Sequence, residues 1–136
     1  MTKKKIFISY RFSGEDPSFL KTTIPKLHEA LSESGHDYYS TFFDIEEFER
    51  DNWSGREIMG KAFKEIDSSD IILFFVQSPA VSQGMLMELG YSMAKNKKCV
   101  LIVRKHINSI FKRHLDDVIE YETIDELKEK IKKLEI

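Results

Sequence analysis

Two stretches of the chain are apolar without a break, Ile-Ile-Leu-Phe-Phe-Val (Ile71–Val76) and Cys-Val-Leu-Ile-Val (Cys99–Val103). Runs this short and this uniformly apolar predict strands buried on both faces, at the centre of a sheet. A similar β-type run, Lys5–Tyr10, ends at a turn containing Gly14 and Pro17. From Phe19 to Ser34 the spacing changes to that of a helix, with Leu20, Ile24, Leu27 and Leu31 on one face and Gly35 as its stop. The aromatic-rich stretch His36–Asp44 reads as a second strand running into a loop. Residues Ile45 to Asp67 carry helical spacing, with Ile58, Ala62, Phe63 and Ile66 on one face. A helix from about Gly84 to Lys95 follows the third strand. The strand Asp117–Tyr121, expected at an edge, and an amphipathic helix from Thr123 to Leu134 close the chain.

Five strands alternating with helices predict an α/β fold with a parallel sheet covered on both faces. The expected architecture is a flavodoxin-like three-layer sandwich of strand order 2-1-3-4-5, formed as one domain over residues 1–136. In such sheets ligands bind beyond the carboxyl ends of the strands, where the strand order reverses. That places chemistry in the loops Tyr10–Asp16, Ser40–Asp44, Gln77–Gly84 and Arg104–Asn108. Asp67 and Asp70 lie at the opposite end of the third strand and are poor candidates.

Composition narrows the function classes. Apolar residues make up 41% and charged residues 32%, a balance that argues against disorder. The net charge of −2 gives no basic field for a nucleic acid polymer. The single cysteine, Cys99, excludes an intramolecular disulfide and a multi-cysteine zinc site. The four histidines show no metal-ligand spacing, and neither a Walker loop nor a dinucleotide glycine triplet occurs. No metal and no cofactor is therefore expected. The apolar stretch at the start is too short for a signal peptide or a membrane span, so the expected location is cytoplasmic and away from membranes.

The strongest chemical signal is Ser-Gln-Gly-Met-Leu-Met-Glu-Leu-Gly (Ser82–Gly90), which puts one carboxylate, Glu88, among methionines and leucines. Ser82 and Gly84 precede it at a helix start, where free amides and a hydroxyl suit an anion such as phosphate; Ser82 is equally suited to cap the helix. Glu88 lies one turn further on, on the face of Gly84 and Ser92, directed toward whatever the loop binds. The helix dipole alone would also favour an acid there. The first loop adds Tyr10, Arg11, Ser13 and Gly14: a planar guanidinium for phosphate or carboxylate beside a tight turn, or simply a solvated turn. Trp53, Tyr38 and Tyr39 offer stacking faces for a base, although aromatics on strands more often belong to the core.

The segment Ser82–Val103, with Ser68–Pro79 upstream, resembles the signature of the nucleoside 2-deoxyribosyltransferase family, which includes 2′-deoxynucleoside 5′-phosphate N-hydrolases. The resemblance is specific from about Asp70 to Val103 and weaker elsewhere. It implies an enzyme acting on a small nucleoside or nucleotide, in which Glu88 attacks C1′ of the sugar and water or a second base resolves the intermediate. It further implies that Ser82 and Gly84 hold the 5′ side of the sugar or its phosphate, with Arg11 and Ser13 nearby, and that the protein is a homodimer or higher oligomer. One departure stands out. The family's usual aspartate, eight residues before the position of Asp70, is here Ala62. Asp44 is the first substitute for that acid, with Asp16 behind it. The opening Lys5–Asp16 also resembles Toll/interleukin-1 receptor (TIR) domains, some of which cleave NAD through a glutamate. That resemblance implies a dinucleotide substrate instead, and a non-catalytic nucleotide-binding module is the third alternative.

Overall fold

The computed structural model describes residues 3–11, 15–80 and 82–133. In chain order the elements are β1 (Lys5–Tyr10), α1 (Pro17–Glu33), β2 (Asp37–Tyr39), α2 (Ile45–Arg50), α3 (Gly55–Asp67), β3 (Ile71–Val76), α4 (Gln83–Ala94), β4 (Lys98–Arg104), β5 (Asp117–Tyr121) and α5 (Ile124–Lys132). The five strands form one parallel sheet of order β2-β1-β3-β4-β5, the flavodoxin-like arrangement the alternating pattern predicts. β2 and β5 are its edges.

Side-chain alternation along the central strand explains why the sheet needs cover on both faces. Ile71, Leu73 and Phe75 of β3 pack with Leu20, Ile24 and Leu27 of α1 and with Leu127 and Ile131 of α5. Ile72, Phe74 and Val76 turn the other way, onto Ala62 and Ile66 of α3 and Met85 and Leu89 of α4. Every residue of β3 is buried, so a polar side chain anywhere in it would have to find a partner inside the core.

Local chemistry sets the element ends. Asp16 accepts a hydrogen bond from the Ser18 amide at 2.9 Å and caps α1, with Pro17 in the first turn. Gly35, at φ +81°, ends that helix in the left-handed region as expected of a glycine just past a helix. The helical spacing from Ile45 to Asp67 is divided between two helices, α2 and α3. The break falls at Asp51–Ser54, where Asn52 takes a left-handed φ of 52°. Ser54 then starts α3 with a capping box, its hydroxyl accepting from the Glu57 amide while the Glu57 carboxylate accepts from the Ser54 amide. Periodicity did not register the break because both pieces keep an apolar face, and the turn between them is only four residues long.

Candidate active site

β1 and β3 are adjacent, but the chain leaves them toward opposite faces, into α1 and into α4. This is where the strand order reverses. Ser82 opens α4 by accepting a hydrogen bond from the Met85 amide at 3.2 Å. Helical spacing then carries Met85, Glu88, Leu89 and Ser92 onto the buried face. Glu88 is 8% exposed, and the Ser9 hydroxyl donates to its Oε1 at 2.7 Å. Ser9 reaches it because β1 alternation turns Phe7 and Ser9 toward the α3 and α4 side. Burial pushes the Glu88 carboxyl up to about 7, against the pull of the Ser9 hydrogen bond toward the ionised form.

Glu88 opens onto a cleft of about 560 Å³, within the range of pockets that hold small molecules. One side is polar: Tyr10 and Arg11 from the end of β1, and Ser82, Gly84 and Glu88 from the start of α4. The rest of the wall is largely apolar, built by Ile45 and Phe48 of α2 and Ile58, Met59 and Ala62 of α3. Thr41, the exposed Glu49, Gln83 and Met85 complete the lining. A Cβ at Gly84 would meet Met59 Cε at 3.6 Å, an ordinary contact. The fold does not demand glycine there, and the missing side chain enlarges the cleft.

The first-loop residues are tied to the loop after β3. Arg11 Nη1 donates to Glu15 Oε1 at 2.9 Å, and Glu15 also accepts from Ser78 Oγ at 2.9 Å and Gln77 Nε2 at 3.0 Å. Burial pushes the Glu15 carboxyl up, but these donors outweigh it and hold the group below the usual carboxylate range. Arg11 is the one cation lining the cleft among the described residues, and Glu15 already pairs it. The buried Tyr10 hydroxyl has no hydrogen-bond partner among the described residues, and the neighbouring Thr41 side chain favours its ionised form less than burial opposes it. Burial raises that hydroxyl to about 12.

Of the residues singled out from sequence, the structure brings together Glu88, Tyr10, Arg11, Ser82 and Gly84 around one cleft. Ser13 and Gly14 lie outside the described residues. Asp44 sits between Thr41 and Ile45, which both line the cleft, but it is not itself in the lining and accepts a hydrogen bond from the Tyr39 hydroxyl. Asp16 is occupied as the α1 cap. Of the three aromatics weighed as stacking faces, Trp53 packs on Phe48 at 4.8 Å, Tyr38 stacks on His28 at 4.8 Å and Tyr39 stacks on Phe7 at 6.0 Å. None lines the cleft; Phe48 does. Sequence reading overlooked Ser9, whose signal was a hydroxyl at an inward position of an otherwise apolar strand.

A family model described as nucleoside 2-deoxyribosyltransferase matches residues 12–124, most of the chain and all of α4 with Glu88. The chain belongs to that family. A search of curated protein sequences finds no match. Among solved structures, a CMP N-glycosidase from Clostridium botulinum is 20% identical at a TM-score of 0.68, covering 96% of this chain and 100% of its own. A 2-deoxyribosyltransferase from Bacillus psychrosaccharolyticus is 18% identical at 0.60, covering 91% of this chain and 90% of its own. A 2-deoxyribosyltransferase from Leishmania mexicana is 17% identical at 0.58, covering 74% of this chain and 64% of its own. At these identities the likeness is one of fold. In this nucleoside 2-deoxyribosyltransferase family member, Ala62 is 1% exposed and faces the cleft. Its methyl group is part of the apolar lining.

Proposed function

We propose that the protein cleaves or transfers the N-glycosidic bond of a nucleoside or nucleoside 5′-monophosphate, with Glu88 as the nucleophile. The carrying observation is the placement of Glu88: buried at the start of α4, steadied by Ser9 through Oε1 and open to a nucleoside-sized cleft. A carboxylate oxygen attacks C1′, the C1′–N bond breaks and the base departs, leaving a glycosyl ester on Glu88. Water or a second base then attacks C1′ and frees the carboxylate. Glu88 must be ionised to attack, so catalysis rises with pH through about 7. Ser82 and Arg11 serve the 5′ side of the sugar, and the wall of Phe48, Ile58 and Met59 receives the base by apolar contact.

Residues 1–136 act in this reading as one cytoplasmic catalytic domain. No helix among the described residues is long and apolar enough to cross a membrane. The protein also forms a homodimer or higher oligomer, to which the exposed Met87 and Met93 of α4 offer apolar side chains. A mass near that of one chain by light scattering at working concentration removes this part of the proposal.

The test is base release from a panel of nucleosides, deoxynucleosides and their monophosphates, with and without an acceptor base. The wild-type protein releases base, and Glu88→Gln lowers the rate by at least about 10³-fold, the scale of losing a nucleophile. Turnover of no member of the panel sinks the proposal.

A further inference from the structure

The apolar part of the cleft that Glu88 opens onto holds Ile45, Phe48, Ile58, Met59 and Ala62, and none of these carries a proton to give. A neutral purine or pyrimidine leaves a sugar as an anion unless an acid protonates it, and such help is typically worth about 10²–10⁴-fold. The charges around the cleft point the same way. Its one cation among the described residues, Arg11, is paired with Glu15, while Glu88 and Glu49 contribute carboxylates. The lining therefore carries an excess of negative charge when its acids are ionised.

We propose that the preferred substrate is an N-glycoside whose base is itself a cation, of the pyridinium or N7-alkylated purine class. This inference rests on the N-glycosidic reading given above. When a Glu88 oxygen bonds to C1′, the electrons of the C1′–N bond return to the positive ring nitrogen and the base departs as a neutral heterocycle. No proton moves in that step, so the apolar wall lacks nothing it needs. In the second step the oxygen of a water bonds to C1′, the ester C–O bond breaks back to the Glu88 carboxylate, and the water's spare proton passes to solvent.

A cationic base also remedies the cost of burying Glu88. Desolvation holds its carboxyl near 7, so much of it is protonated and inert at neutral pH. A positive charge arriving in the cleft favours the ionised form, so the substrate helps to generate its own nucleophile. A neutral base cannot do this. Phe48 adds a ring in the lining, suited to a flat cation.

Two other groups bear on the argument. Tyr10 lines the cleft from the polar side rather than the apolar wall; its hydroxyl has no hydrogen-bond partner among the described residues, and burial holds it up at about 12. Glu49 lines the cleft from α2 and is exposed. Among the described residues it is the one carboxyl in the lining besides Glu88, so the experiment includes it.

Matched substrates decide the question: N7-methyl-2′-deoxyguanosine against 2′-deoxyguanosine, and the N-riboside of nicotinamide against cytidine, each also as its 5′-monophosphate. Each enzymatic kcat/KM is divided by the rate of the same compound without enzyme, which removes the intrinsic lability of the cationic bond. The cationic member is expected to show a rate enhancement at least about 100-fold above its neutral partner, the scale of missing acid catalysis. Ala62→Asp is expected to narrow the ratio by at least about 10-fold by accelerating the neutral substrates, and Glu49→Gln, which removes one carboxylate from the lining, is expected to lower cationic turnover by a few-fold with no selective loss of neutral turnover. Equal or greater enhancement for the neutral substrates overturns the inference while leaving the N-glycosidase reading standing. Selective loss of neutral turnover in Glu49→Gln also overturns it, because an acid is then present after all. Cleavage of neither class overturns both. Should Ala62→Asp fail to fold, the wild-type ratio and the Glu49→Gln result still decide.

Discussion

Ser9 and Glu88 are 79 residues apart in sequence and 2.7 Å apart in space, and their bond moderates the effect of burial on the proposed nucleophile. The hydrogen bond favours the charged carboxylate and burial opposes it, with burial the larger effect. Removing the Ser9 hydroxyl therefore raises the Glu88 pKa further. Ser9→Ala is expected to move the rising limb of the pH–kcat/KM profile to higher pH and to lower the rate at pH 7 by several-fold, with little loss remaining at pH 9. A uniform loss at all pH values would mean that Ser9 does not act through the charge of Glu88. Sequence made Glu88 conspicuous, as an acid among methionines at a helix start, and the family resemblance gave it a role. The partner was harder to find, because a single serine in an apolar strand acquires meaning only once strand register and face are known.

The elements around the cleft were legible to unequal degrees. Ile71–Val76 fixes the centre of the sheet by its apolarity alone, and Ser82 announces the start of α4. The wall built by α2 and α3 was less visible, because the same helical period runs through both and hides the turn between them. The clue was Ser54-Gly-Arg-Glu57, a capping-box sequence inside what otherwise reads as a helix interior. That cap anchors the first turn of α3, and Ile58 and Met59 line the cleft directly after it. Ser54→Ala is expected to cost about 1 kcal/mol of stability, read from the urea midpoint with unchanged m-value. An equal midpoint would show that the cap is dispensable and that packing alone holds the wall.

On the scale of the whole molecule, two buried groups pull stability in opposite directions with pH. Burial holds His28 down at about 4, stacked between Tyr38 and Phe43 with its Nε2 at 3.1 Å from Ser40 Oγ. Its contribution is full above its unfolded value near 6.5 and is lost as pH falls toward 4. Glu88 behaves oppositely: its contribution is full below 4.5 and is lost as pH rises through about 7. Each amounts to about 3 kcal/mol across its range, and between roughly pH 4.5 and 6.5 the two slopes cancel. Glu88→Gln removes one of them. The variant is expected to gain stability at about 1.4 kcal/mol per pH unit over that window relative to the wild type, ending more stable than it at pH 8. Parallel profiles for the two proteins would refute the raised pKa of Glu88. The topology that buries both groups was readable from alternation and run length. The Ala62 wall and the pairing of Arg11 with Glu15 needed three-dimensional contacts.

The nucleophile itself can be tested without knowing the natural substrate. Incubation with 2-deoxy-2-fluoro nucleosides of both neutral and cationic bases slows release of the glycosyl ester, and proteolysis followed by mass spectrometry then locates the adduct. The account predicts one added fluoroglycosyl unit on the peptide containing Glu88, absent in Glu88→Gln. Base release without that adduct, or an adduct on another residue, would contradict it.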